Sequence, residues 1–102
     1  MTDHIKTQTV DRVTTLTISR PDKRNAITQD MYAAMADALE RYVANDDARA
    51  FVITGAEDYF TSGNDVKDFM IGGHGDGVAP VIRFLQAVST CTKPLIAAVN
   101  GP

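Results

Sequence analysis

Residues 51–69 read FVITGAEDYFTSGNDVKDF, and they decide the fold because they join a strand to a helix. The run RAFVIT at 49–54 predicts a short, largely apolar strand that is buried on both faces, and Gly55 closes it. Small and polar residues dominate the connection that follows. An apolar strand that leads into a helix is typical of α/β proteins.

The turn TSGN at residues 61–64 ends where the helix is predicted to begin. Asn64 or Asp65 can cap a short helical segment through Met70, because both side chains accept hydrogen bonds from N–H groups two or three residues on. A buried strand, a turn that contains Gly63 and a helix start bring several unpaired N–H groups to one point. Such a point can bind an oxyanion, and an ordinary strand-to-helix turn is the alternative.

Further strands and helices are predicted on both sides of this stretch. Hydrophobic patterning predicts strands at 5–10 and 13–19, a helix at 29–44, a helix from Pro80 to about Thr90 and a strand at 95–100. Thr28 is the expected N-cap of the longer helix. The order strand, strand, helix, strand, helix, strand predicts an α/β fold.

Length and composition narrow the classes of protein. A chain of 102 residues is enough for one small domain, and a net charge of −3 without a Lys/Arg run argues against nucleic-acid binding. No stretch is long and apolar enough to span a membrane, and the N-terminus carries no recognisable export signal. The single cysteine, Cys91, fits a reducing compartment, so we expect a cytoplasmic protein.

No side chain has the sequence surroundings of a catalytic group. The glycine-rich MIGGHGDG at 70–77 lacks a phosphate-loop pattern, and its His74 has no second ligand at metal spacing, so no metal site is expected. Ser62 lies outside a nucleophile-elbow motif. Asp65 and Asp68 are interpreted as a helix cap and a solvated carboxylate. The 70–77 loop has the composition of a mobile segment that gates a pocket.

Three separate motifs together resemble a known family. ISRPDKRNAIT at 18–28, the opening stretch at 51–69 and KPLIAAVNGP at 93–102 are similar, in order and spacing, to the crotonase superfamily, the enoyl-CoA hydratase/isomerase family. The resemblance implies a spiral of ββα units that binds acyl-CoA thioesters and assembles as trimers or dimers of trimers. It covers only the N-terminal part of that domain, so residues 1–102 are expected to be an incomplete spiral.

The resemblance also implies the site residues. In the family, the turn that corresponds to residues 60–66 supplies one of two backbone N–H donors to the thioester oxygen, and here that donor is the N–H of Asn64. The implied substrate groove for adenine and pantetheine is lined by the backbone of Ser62, Gly63, Asn64, Asp65, Val66 and Lys67. Lys23 and Arg24 would lie near the phosphates of coenzyme A. No separate cofactor is implied, because coenzyme A is part of the substrate.

Two parts of the family's site are expected after residue 102: the second N–H donor and the catalytic carboxylates. We therefore expect the chain to be a fragment that is inactive alone. The motifs SGND at 62–65 and VNGP at 99–102 are more similar to those of peroxisomal-type isomerases than to those of mitochondrial-type hydratases. The alternatives are a different superfamily reaction, such as thioester hydrolysis or decarboxylation, and a non-catalytic module that binds coenzyme A or a protein. Exposed apolar surface on a partial spiral is expected to drive self-association.

Overall fold

The computed structural model of the chain describes residues 2–71 and 79–102. The elements in these residues are strands β1 (Ile5–Val10), β2 (Val13–Ile18), β3 (Ala50–Gly55) and β4 (Leu95–Ala98), with helices α1 (Gln29–Ala44), α2 (Val66–Ile71) and α3 (Ala79–Thr90). A short 3-10 helix, Pro21–Lys23, follows β2. Every predicted strand and helix is present, with end points that differ by at most two residues.

The strands form one sheet in the order β1-β2-β3-β4. β1 and β2 make an antiparallel hairpin, whereas β2, β3 and β4 run parallel. Parallel neighbours require a crossover, which α1 supplies between β2 and β3, while α2 and α3 lie between β3 and β4. The predicted α/β class is confirmed, and β1, β2 and α1 form one ββα unit.

The core lies between α1 and the sheet. On the helix, Met31 and Leu39 are fully buried, and on the sheet Leu16 and Phe51 are fully buried opposite them. The buried positions of α1 recur every three to four residues because one face of the helix covers the sheet. α3 packs against α1 from outside this core, and its Arg83 reaches acidic residues on α1.

Both ends of α1 are capped. The hydroxyl of Thr28 accepts a hydrogen bond from the N–H of Met31 at 3.2 Å, which confirms Thr28 as the N-cap. At the other end, Lys93 Nζ donates to the carbonyls of Tyr42 and Asn45 at 2.9 and 2.8 Å. The cation thus meets the negative end of the helix dipole and ties α1 to the segment before β4.

The prediction that β3 is buried on both faces is wrong. Phe51, Ile53 and Gly55 are buried, but the alternate residues of the strand are only half-buried. α1 covers one face of the sheet, so the other face keeps contact with solvent. The predicted gating loop at 70–77 falls mostly outside the described residues. No helix in the described parts of the chain is long and apolar enough to cross a membrane.

Candidate functional site

The turn at residues 61–64 is fastened to the segment before α1. The N–H of Ile27 donates to the carbonyl of Gly63 at 2.8 Å, and the N–H of Asp65 donates to the carbonyl of Ile27 at 2.9 Å. These two bonds form an isolated parallel bridge between Ile27 and Asn64. In this parallel bridge Ile27 bonds to the residues on either side of Asn64, so the N–H and the carbonyl of Asn64 itself take no part in it.

The backbone N–H of Asn64 therefore points away from Ile27. No protein acceptor for this N–H is found among residues 2–71 and 79–102, and Asn64 is solvent-exposed. Gly63, just before it, adopts a φ of +106°, a conformation that other residues rarely reach. Within the described residues the N–H of Asn64, the donor that the family resemblance implies, is therefore exposed and has no protein acceptor.

Asp65 is the N-cap of α2. Its Oδ1 accepts from the N–H of Asp68 at 2.9 Å, and its Oδ2 accepts from Arg20 Nη1 at 2.6 Å. Both side chains of this ion pair are 16% exposed. The Asp68 N–H, followed by the Arg20 guanidinium, holds the pKa of the Asp65 carboxyl below its usual value. Both carboxylate oxygens are already hydrogen-bonded within the protein, so only the backbone and Cβ of Asp65 can line a groove.

Asn25 connects the loop after β2 to the loop after β3. It is fully buried, with a φ of +59°. Its Oδ1 accepts from the N–H of Arg20 at 2.7 Å, and its Nδ2 donates to the carbonyls of Ala56 and Tyr59 at 3.1 and 2.8 Å. Its own carbonyl accepts from the hydroxyl of Thr61 at 2.7 Å. Asn25 thus holds the segment from Ala56 to Thr61, which leads into the turn that contains Asn64.

Asn100, which follows β4, holds the start of the loop after β3 with its side-chain amide. Its amide bonds both backbone groups of Gly55, accepting from the N–H at 3.1 Å and donating to the carbonyl at 2.7 Å. It also donates to the carbonyl of Glu57 at 3.0 Å. The N–H of Phe60 donates to the carbonyl of Pro102 at 2.7 Å. The residues of the VNGP motif therefore hold the far side of the 55–60 loop.

The other predicted substrate-binding residues surround the turn. Ser62 is exposed, and its N–H donates to the carbonyl of Arg24 at 3.1 Å. Lys23 and Arg24 are both exposed, and the Arg24 guanidinium lies 5.9 Å from the centre of the Tyr59 ring. Val66 and Lys67 are exposed in the first turn of α2. The backbone bond between Ser62 and Arg24 brings the two predicted groups of binding residues together.

Asp68 is not the solvated carboxylate that the sequence suggested. It is half-buried, and its Oδ2 accepts from the N–H of Gln29 at 2.9 Å. Gln29 Nε2 in turn donates to the carbonyl of Asp68 at 3.0 Å. The first turn of α1 offers unpaired N–H groups, and Asp68 satisfies one of them across the two helices. Sequence reasoning missed this because residues 39 apart carry no local signal.

Sequence reasoning also missed the structural importance of Arg20, Asn25 and Asn100. The position of Asn25 in RPDKRNA gives no sign of its burial. The signal that could have found these residues is their place in two of the three family motifs. In the described residues, no group of three or more His, Cys, Asp or Glu side chains could hold a metal ion.

Comparisons with known proteins agree with the fold. A crystal structure of an enoyl-CoA hydratase/isomerase from Pseudoalteromonas atlantica superposes with a TM-score of 0.91 at 44% identity, covering 98% of this chain and 40% of that one. The fold is therefore of the crotonase class. The predicted fold family is confirmed.

Sequence comparison identifies the family. The sequence profile described as enoyl-CoA hydratase/isomerase matches residues 8–102. Rat enoyl-CoA delta isomerase 2 is 38% identical, over 88% of this chain and 24% of its own length. A probable enoyl-CoA hydratase of Mycobacterium tuberculosis is 40% identical, over 87% and 36%. This chain belongs to the enoyl-CoA hydratase/isomerase family, and it spans between about a quarter and two fifths of the length of these relatives.

Proposed function

We propose that this chain forms part of the substrate site of an enzyme that hydrates enoyl-CoA thioesters or moves their double bond. In this proposal the backbone N–H of Asn64 donates to the thioester carbonyl oxygen. The observation that carries it is the parallel bridge of Asn64 with Ile27, which turns this N–H outward without a protein acceptor among the described residues.

The chemistry requires such a donor. Adding water to an enoyl thioester, or removing a proton beside its carbonyl, builds negative charge on the carbonyl oxygen. A preorganised N–H stabilises that charge, and removal of one such donor typically lowers the rate by about 10²- to 10³-fold. Because the donor is a backbone group, no reactive side chain and no separate cofactor are needed for this step.

The rest of the binding site is proposed around the same turn. The backbones of Ser62, Gly63, Asp65, Val66 and Lys67 line a groove for adenine and pantetheine. Lys23 and Arg24, which are exposed on the adjoining loop, attract the phosphates of coenzyme A. We place the second N–H donor and the proton-transfer carboxylates in the part of the longer relatives that this chain does not span.

Backbone chemistry tests the central donor. Chemical synthesis of the chain with an ester in place of the amide between Gly63 and Asn64 removes that N–H and keeps every side chain, and it also makes the Gly63 carbonyl a weaker acceptor for the Ile27 N–H. We expect crotonyl-CoA labelled at its carbonyl carbon to show a smaller shift of the carbonyl stretching frequency with this variant than with the unmodified chain. The matched control is an ester between Asp46 and Asp47, in the exposed loop after α1. Equal shifts for all three chains would contradict the proposal.

We also propose a cytoplasmic protein that forms homo-oligomers. Large apolar side chains are exposed on α3 and at the edge strand β4, where Leu85 is 57% and Ile96 48% exposed. Surfaces of this kind favour association. We expect a trimer or a dimer of trimers for the full-length protein and self-association of this chain in sedimentation, and a stable monomer of the chain at high protein concentration would contradict this part.

A further inference from the structure

The side chain of Asn64 is held by a residue of α1. The hydroxyl of Tyr32 donates to Asn64 Oδ1 at 2.5 Å. Tyr32 lies one helical turn after Thr28, to whose carbonyl its N–H donates at 3.0 Å. It therefore stands on the same capped helix start as Ile27, the residue that bridges the Asn64 backbone.

The Tyr32 ring is fixed by two other aromatic rings. Its centre lies 6.2 Å from that of Phe69 in an edge-to-face arrangement and 5.8 Å from that of Phe84 in a tilted one. Phe69 belongs to α2 and Phe84 to α3. Aromatic pairs at these separations restrict ring orientation. The hydroxyl position is thus set by all three helices.

Two attachments restrict Asn64 from different directions. The bridge to Ile27 fixes the peptide groups on both sides of it, and the Tyr32 bond fixes its side chain. Gly63, next to it, has open space around its α-carbon and a φ of +106°, so it gives the turn no steric support of its own. A side-chain anchor at Asn64 supplies the constraint that the glycine lacks.

We propose that Tyr32 is a positioning residue for the oxyanion donor: its hydroxyl, through Asn64 Oδ1, holds the Asn64 backbone N–H in the direction that receives the thioester oxygen. This inference rests on the proposed function and deepens it, because it assigns the orientation of the donor N–H to a residue that does not contact the substrate. Burial also raises the pKa of Tyr32, so the hydroxyl keeps its proton and remains a donor at neutral pH.

Amide hydrogen exchange without ligand tests the positioning itself. Tyr32→Phe keeps the ring and removes only the hydroxyl. Because one neutral hydrogen bond is lost, we expect the N–H groups of Asp65 and Ile27 to exchange about three- to tenfold faster, relative to core amides of α1. Tyr42→Phe is the matched control, since its hydroxyl donates to the carbonyl of Pro94 at 2.7 Å on the other end of α1. Equal exchange of these two amides in both variants would overturn the proposal.

A double-mutant cycle keeps the test independent of folding. In Asn64→Ala the hydroxyl has no partner, so the further change Tyr32→Phe is expected to leave the exchange of Asp65 unchanged. An equal acceleration by Tyr32→Phe in both backgrounds would show that the hydroxyl acts elsewhere and would overturn the positioning role.

Ligand measurements separate this inference from the proposed function. With crotonyl-CoA bound, Tyr32→Phe is expected to reduce the shift of the carbonyl stretching frequency, while Tyr42→Phe leaves it as in the unmodified chain. If the unmodified chain causes no carbonyl shift at all, the proposed function fails, and the exchange experiment still decides whether Tyr32 fixes the turn. If the shift is present and unchanged in Tyr32→Phe, the positioning role is overturned while the proposed function stands.

Discussion

The helix–sheet core and the connection at residues 55–65 are held by different interactions. In the core, the fully buried groups are apolar: Leu16 and Phe51 on the sheet face Met31 and Leu39 on α1. The connection is held by the fully buried side-chain amide of Asn25, which lies in the loop after β2 and donates to the carbonyls of Ala56 and Tyr59. Apolar burial depends on area and tolerates small shifts, whereas hydrogen bonds depend on direction. The core therefore sets the stability of the chain, and the polar connection sets the geometry of the turn that carries Asn64.

The largest effect is expected from the core. Phe51→Ala removes a fully buried ring that packs against Tyr42 at 5.2 Å between centres, and such changes destabilise by about 3–5 kcal/mol. Urea unfolding followed by circular dichroism measures the loss. Val10→Ala, at a side chain 54% exposed, is the control and should stay within about 0.5 kcal/mol. If Phe51→Ala leaves no folded protein, Phe51→Leu should give a smaller, measurable loss. A loss of stability at Phe51 no larger than at Val10 would contradict the view that the apolar core sets the stability of the chain.

Asn25→Ala should give the next largest effect, in the polar connection. It leaves the carbonyls of Ala56 and Tyr59 without their donor and puts alanine at a positive φ, which together destabilise by roughly 2–4 kcal/mol. The same unfolding measurement applies, with Asn45→Ala in an exposed loop as the matched control. Unlike Phe51→Ala, this change should also shift the amide resonances of residues 61–65 in the folded protein. Unchanged resonances there would contradict a geometric role for Asn25.

Gly63→Ala should have a smaller effect on stability. An added Cβ meets no atom within 4 Å, so the change is purely one of backbone conformation, at about 1–2 kcal/mol for a φ of +106°. Ser62→Ala, at the exposed neighbouring residue, is the control. Unfolding measurements should separate the two variants, and a neutral Gly63→Ala would mean that the turn does not need its positive φ.

The smallest effect is expected from acid at the Asp65 cap. Its pKa is lower in the folded chain than in the unfolded one, so its stabilising contribution is complete above the unfolded pKa of about 4 and is lost as the pH falls through the folded value. Carbon-13 NMR of the carboxyl follows the titration. Arg20→Gln should raise the Asp65 pKa, whereas Arg12→Gln, at the opposite end of β2, should leave it unchanged. An equal Asp65 pKa in both variants would show that Arg20 does not lower the pKa of this carboxyl.

The same contrast explains how much could be predicted from the sequence. α1 and its cap at Thr28 could be placed because apolar residues recur at helical spacing and the cap lies beside them. The core interactions follow from the same periodicity. The family motif implies Asn64 as the donor, and the outward direction of its N–H follows only from the bridge to Ile27 in the structure.

The polar network could not be predicted from local patterns. Asn25 binds carbonyls 31 and 34 residues away, and Asn100 binds groups 43 to 45 residues away. Nothing in the residues next to an asparagine indicates whether a distant carbonyl will face it. The wrong prediction for β3 has a similar cause, since the exposure of its second face depends on where the helices pack.

The most direct measurement is a proton–nitrogen NMR titration of the chain with crotonyl-CoA and, as a matched ligand without the acyl carbonyl, coenzyme A itself. If Asn64 supplies the oxyanion donor, its backbone N–H resonance moves downfield with crotonyl-CoA and stays near its starting position with coenzyme A, while the amides of Ser62 and Lys67 respond to both. An Asn64 N–H resonance that shifts equally with the two ligands, or with neither, would contradict the role of this N–H as the donor to the thioester oxygen.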